Sequence, residues 1–62
     1  MKGLRVEGSY FGTKVAGIVT ETRLRGDTQI LYVELETPIR NFLGKLMTGC
    51  ILDINKVTRI SG

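Results

Sequence analysis

The 62-residue chain has no histidine, no tryptophan, one cysteine and one proline. Histidine is the commonest general base and metal ligand in proteins, and a disulfide needs a second cysteine. Cys50 lies in the apolar run "TGCILDI", where a thiol with no histidine beside it is expected to pack in the core and remain inert. These absences predict a protein that is not an enzyme and that has no metal, no cofactor and no internal disulfide.

Long apolar runs are also missing. None approaches the ~20 residues that span a bilayer, and the segment "MKGLRVEGSY" has no apolar stretch of signal-peptide length. With a single cysteine, this pattern predicts a cytoplasmic protein without a membrane partner. The length predicts one domain over residues 1–62. Because so small a domain buries only ~60% of its surface, self-association into a homo-oligomer would compensate for the small core.

Basic residues modestly outnumber acidic residues in the chain. The net charge is +3 and the sequence pI is about 9.4, which fits DNA or RNA as a partner and also fits an ordinary soluble surface. Glu34 and Glu36 alternate on one face of a predicted strand. Basic residues accompany them, so we expect solvated ion pairs at this position and no catalytic pair of carboxylates.

Eight dispersed glycines and many β-branched residues favour short strands joined by tight turns. We expect a first strand at about 4–8, a loop in "GSYFGT", and two long strands in "KVAGIVTETRL" and "TQILYVELET". A turn at Gly26-Asp27 would join the long strands into an antiparallel hairpin. The turn accounts for the tripeptide Arg25-Gly26-Asp27 without any role in cell adhesion.

The hairpin predicts a register that separates two faces. Ile18, Thr20, Thr22 and Leu24 would face the core, opposite Leu35, Val33, Leu31 and Gln29. The outer face would then carry Val19, Glu21 and Arg23, opposite Glu34, Tyr32 and Ile30.

The segment at about 38–47 allows two interpretations. Thr37-Pro38 suits a helix start, and apolar residues recur behind it at helical spacing, which predicts a short helix. The alternative is a second hairpin that turns near Gly44-Lys45. In the tail "GCILDINKVTRI" we expect a strand, a 3₁₀ turn at about 53–56 and a short final strand.

This order of elements resembles an all-β, five-stranded SH3-like barrel. The same tail is similar in rhythm to the final strands of plasmid-encoded type II dihydrofolate reductases, which are SH3-like barrels that work as tetramers. That family carries Gln-Ile-Tyr where this chain has Cys50-Ile51-Leu52. The resemblance therefore implies the fold and self-association. It does not imply the reductase activity, because only the isoleucine is kept.

Two functions follow as expectations. The first is a nucleic-acid-binding module whose basic and aromatic face contains Lys14, Arg23, Arg25, Tyr10, Phe11 and Tyr32. The alternative is a protein-interaction or regulatory accessory protein, viral or plasmid-encoded, that docks on a protein partner. Its apolar patch at 39–47 would contain Ile39, Phe42, Leu43, Leu46 and Met47.

Overall fold

The computed structural model describes residues 2–61 and contains one antiparallel sheet, which confirms the all-β class. A 3₁₀ turn, η1 (Ile54–Lys56), precedes the last strand, as the sequence predicts. The strands are β1 (Arg5–Tyr10), β2 (Thr13–Arg25), β3 (Thr28–Arg40), β4 (Leu46–Asp53) and β5 (Val57–Ser61). They lie in the order β4-β3-β2-β1-β5, and β4 and β5 form the two edges because the sheet is not closed.

The helix predicted at about 38–47 is wrong, and the alternative hairpin is confirmed. β3 continues to Arg40, and β4 begins at Leu46 after a short turn. In that turn, Oδ1 of Asn41 accepts hydrogen bonds from the backbone N–H groups of Leu43 and Lys45. Gly44 adopts φ +80°, a conformation that an α-helix does not contain. Local turn chemistry thus outweighs the helical spacing of the apolar residues.

The register of the β2–β3 hairpin is confirmed next to its turn and is wrong beyond Thr20. Glu21 pairs with Tyr32 as predicted, but a bulge between Val19 and Glu21 places Val19 opposite Val33. The extra residue reverses the alternation of faces. Val19 is therefore buried, with 1% of its surface exposed, whereas Ile18 is 39% exposed. Neither residue lies on the face predicted for it.

The core consists of aliphatic side chains and the cysteine. Its buried members are Val6, Val15, Val19, Leu31, Val33, Leu35, Cys50 and Leu52. Gly17 permits close packing of β2 on β3, because a Cβ atom at this position would overlap the carbonyl oxygen of Glu34. Cys50 is buried as predicted, and desolvation raises the pKa of its thiol. Residues 2–61 contain no helix long and apolar enough to cross a membrane.

Candidate binding surface

The six residues predicted for nucleic-acid binding lie in three separate places. Arg23, Arg25 and Tyr32 do meet, as expected, near the β2–β3 turn. There they line a groove of about 260 Å³, together with Leu24, Ile30 and Ile51. The Arg23 guanidinium carbon lies 5.9 Å from the centroid of the Tyr32 ring. We call this the hairpin groove.

Nearby carboxylates balance the positive charge of the hairpin groove. Arg23 forms an ion pair with Glu21, with 3.3 Å between nitrogen and oxygen. The segment 21–27 contains two arginines and two carboxylates, Glu21 and Asp27. Its formal charge is therefore zero. An anionic ligand would gain little attraction at this site.

Tyr10 and Phe11 lie at the opposite end of the sheet, where the β1–β2 turn meets the β3–β4 turn. The two turns enclose a groove of about 470 Å³ that we call the aromatic groove. Its lining is Tyr10, Phe11, Thr13, Ile39, Arg40, Asn41, Phe42 and Met47. The rings of Tyr10 and Phe11 pack edge to face, with centroids 4.8 Å apart. The structure thus joins Tyr10 and Phe11 to the apolar patch predicted separately at 39–47.

Two phenylalanines stand almost fully in solvent at the rim of the aromatic groove. Phe11 is 88% exposed and Phe42 is 93% exposed. Phe11 also has φ +49°, and Gly12 follows it with φ +80°. A two-residue turn with both φ values positive normally carries Asn-Gly or Gly-Gly, because a Cβ atom costs about 1 kcal/mol in that conformation. The chain therefore keeps an exposed ring at a position where the backbone disfavours it.

The aromatic groove differs from the hairpin groove in its electrostatics. Among residues 2–61, no carboxylate lines the aromatic groove. Residues 37–52 contain Arg40 and Lys45 and no acidic residue. Nη1 of Arg40 donates a 2.8 Å hydrogen bond to the Gly44 carbonyl oxygen, which holds the guanidinium group beside the groove. Segment 37–52, which forms the β3–β4 turn and its flanks, therefore carries a formal charge of +2 beside the aromatic groove.

Lys14 lies apart from both grooves. It lines a shallow surface with Glu7, Ala16 and Glu36 among others. The pKa values of Glu7 and Glu36 are lowered, chiefly by hydrogen bonds from Arg5, so both carboxylates stay ionised beside Lys14. Ile39 lines both this surface and the aromatic groove. Lys14 therefore lies next to the aromatic groove, on the side where Glu7 and Glu36 are found.

The residues predicted for a protein interface divide between core and surface. Ile39 and Met47 pack partly against the core. Phe42, Leu43 and Leu46 are exposed around the β3–β4 turn. The sequence prediction missed Arg40, because it considered only the apolar residues of the segment at 39–47 as site residues. The antiparallel order of the strands could have indicated the site, because the β1–β2 and β3–β4 turns of such a sheet lie at the same end.

Among residues 2–61, no three acidic or cysteine side chains are grouped so that they could hold a metal ion. No protein family, curated protein or solved structure matches this chain.

Proposed function

We propose that the chain is an SH3-like five-stranded barrel that works in the cytoplasm as a non-catalytic binding module for single-stranded nucleic acid. The fold assignment is supported by the strand order β4-β3-β2-β1-β5 and by the 3₁₀ turn before β5. The site is the aromatic groove. Because the rings at its rim are exposed and carboxylates are absent from its lining, it offers both stacking surface and positive charge.

The conformation of Phe11 carries the proposal. The Phe11 ring lies outside the core and is held at positive φ, and its edge-to-face contact with Tyr10 leaves most of its surface in solvent. Such strain is tolerated at binding sites, where the side chain contributes to a ligand. Unpaired bases stack on aromatic rings with ~1–3 kcal/mol per base, whereas a duplex hides the base faces. Phe11 and Phe42 therefore favour a single strand.

Arg40 and Lys45 would bind the phosphates beside the stacked bases. Each cation that neutralises a phosphate releases a counterion, so affinity falls as salt concentration rises. Lys56 borders a second groove of about 300 Å³ on the other side of Phe11. It extends the basic path beyond the aromatic groove, although Asp53 lines the same groove. The hairpin groove, with Arg23, Arg25 and Tyr32, would be a weaker secondary contact because its charge is balanced.

The test is fluorescence anisotropy with labelled oligo-dT and oligo-U over a series of salt concentrations. Phe42→Ala should weaken binding by about tenfold, the equivalent of one lost stacking contact. Leu43→Ala is the matched control, since Leu43 is exposed on the same turn but has no ring. Arg40→Gln should reduce the salt slope by about 0.7, the value for one phosphate contact on a single strand. Equal affinity of all three variants would refute the site.

The alternative is an accessory protein that binds a protein partner through Ile39, Phe42, Leu43, Leu46 and Met47. The exposure of Leu43 and Leu46 supports it, because neither side chain is suited to stack on a base. In that case no oligonucleotide would bind at low salt. A partner captured from the host would resist high salt and would be lost on Leu43→Ser, since apolar contacts are not screened.

A further inference from the structure

The outer edge of β4 has the properties of a strand that is normally covered. β4 pairs with β3 alone, so one row of its backbone groups has no strand partner among residues 2–61. Residues 46–52, "LMTGCIL", contain neither charge nor proline. Edge strands usually carry a lysine, a proline or an inward-pointing charge that blocks pairing with other chains. The opposite edge, β5, carries the exposed Arg59, whereas the β4 edge has no such protection.

The charged residues at the two ends of this neutral segment have opposite signs. Lys45 precedes the segment and Asp53 follows it. Neither forms an ion pair with a charged group in the described part of the chain. Oδ1 of Asp53 accepts the backbone N–H of Asn55, which leaves Oδ2 available. In an antiparallel pair of identical strands centred on Gly49, Lys45 of each copy lies opposite Asp53 of the other.

We propose that two copies of the chain pair antiparallel through β4, with the two-fold axis at Gly49. The axis then passes through a residue without a side chain, where two backbones can approach closely. Leu46 lies opposite Leu52, and Met47 lies opposite Ile51. This pairing joins two five-stranded sheets into one and covers the exposed side chains of Leu46 and Ile51.

The composition of β4 favours a second copy of itself as the partner. Charged residues occur within the other four strands, whereas the one charged residue of β4, Asp53, stands at its last position. Self-pairing also adds the stabilisation that a 62-residue chain without a disulfide needs. The pairing does not require nucleic-acid binding, although it engages Lys45, which the proposed function assigns to a phosphate.

A charge exchange tests the pairing. By analytical ultracentrifugation, the unaltered chain should show a species of twice 6.9 kDa. Lys45→Asp places like charges at both ends of the pair, and so does Asp53→Lys, so each variant alone should dissociate at least tenfold more readily. An equimolar mixture should restore the dimer, because both ends then carry opposite charges. A monomeric unaltered chain at its solubility limit, or a mixture that stays monomeric while both variants are folded by circular dichroism, overturns the proposal.

A cross-link tests the register and does not depend on Asp53, which also caps η1. With the axis at Gly49, Met47 of one copy lies opposite Ile51 of the other. Because the Cys50 thiol is buried, Cys50→Ala is the background for the test. An equimolar mixture of Met47→Cys and Ile51→Cys in this background should give a disulfide-linked dimer on mild oxidation, and each variant alone should not. Thr58→Cys in the same background is the matched control, since Thr58 is an exposed residue on the other edge strand. Equal cross-linking of the mixture and of Thr58→Cys, or none in the mixture, contradicts the Gly49-centred pairing.

Discussion

At the scale of single residues, Arg5 connects strands that are not neighbours in the sheet. Its Nη1 donates to Glu7 on β1 at 2.8 Å, and its Nη2 donates to Glu36 on β3 at 3.0 Å. β2 lies between these strands, and Ala16 on β2 lies opposite Glu7 in the register. The small alanine side chain leaves space for the guanidinium group to pass above β2. Arg5 therefore ties the first strand of the fold to the third.

These hydrogen bonds make stability depend on pH. They lower the pKa values of both glutamates from the ordinary 4.5. A carboxylate whose pKa is lower in the folded protein stabilises the fold above its unfolded pKa and loses that effect as pH falls through the folded value. The melting temperature should therefore be constant near neutral pH and fall below about pH 4.5. Arg5→Met should flatten this fall in a thermal melt monitored between pH 6 and pH 3. Arg25→Met is the control, since Arg25 affects neither of these glutamates. An unchanged pH profile in Arg5→Met would show that the ion pairs do not form in solution.

At the scale of elements, the sequence predicted the order of the strands. The wrong helix at about 38–47 ended β3 too early and began β4 too late, and the bulge in β2 was not predicted. Near the turn of the β2–β3 hairpin, polar and apolar residues alternate along both strands. The register of this half could therefore be predicted from the sequence. In "AGIVT" that alternation is lost, because Ile18 and Val19 are adjacent, apolar and β-branched. A bulge at Thr20 costs little there, since the Thr20 hydroxyl donates to the Tyr32 carbonyl oxygen at 3.2 Å.

The candidate site was hidden for a related reason. Tyr10, Phe11 and Phe42 were each visible in the sequence, but helical spacing in 39–47 directed Phe42 toward a helix face. The β3–β4 turn depends on only two residues, Asn41 and Gly44. In the sequence, these two turn formers were a weaker indication than five apolar residues at helical spacing. Once this turn forms, antiparallel order alone brings Phe11 and Phe42 to the same end of the sheet.

The bulge predicts which of two neighbouring residues supports the fold. Val19→Ala should lower the free energy of unfolding by about 2 kcal/mol, because it opens a cavity at a fully buried position. Ile18→Ala removes more atoms but should cost under about 1 kcal/mol, since Ile18 is partly in solvent. Urea denaturation of both variants measures the difference. If Ile18→Ala is the more destabilising variant, the bulge is absent and the register without it is correct.

At the scale of the whole molecule, the two proposed surfaces adjoin and share Lys45. Pairing of Lys45 with Asp53 of a second copy would leave Arg40 as the phosphate contact beside the aromatic groove. The aromatic groove lies at the end of the sheet formed by two turns, and the proposed pairing uses the outer edge of β4. A dimer would therefore present two aromatic grooves. A single strand long enough to reach both would bind with higher apparent affinity than a short one, because the second contact becomes intramolecular. The stacking energies of the two grooves then add, so weak stacking at each groove suffices for binding.

The two edges of the sheet should differ in hydrogen exchange, and this difference reports on the whole assembly. In a monomer, the outward N–H groups of β4 and of β5 both face solvent and should exchange rapidly, while β2 and β3, flanked by strands on both sides, should be protected. Pairing through β4 adds backbone hydrogen bonds at that edge alone. Residues 46–52 should therefore gain protection as protein concentration rises, whereas residues 57–61 should not. Exchange followed by NMR at two concentrations separates the cases: parallel changes at both edges would indicate non-specific association, and no change at β4 would mean that this edge remains open in solution.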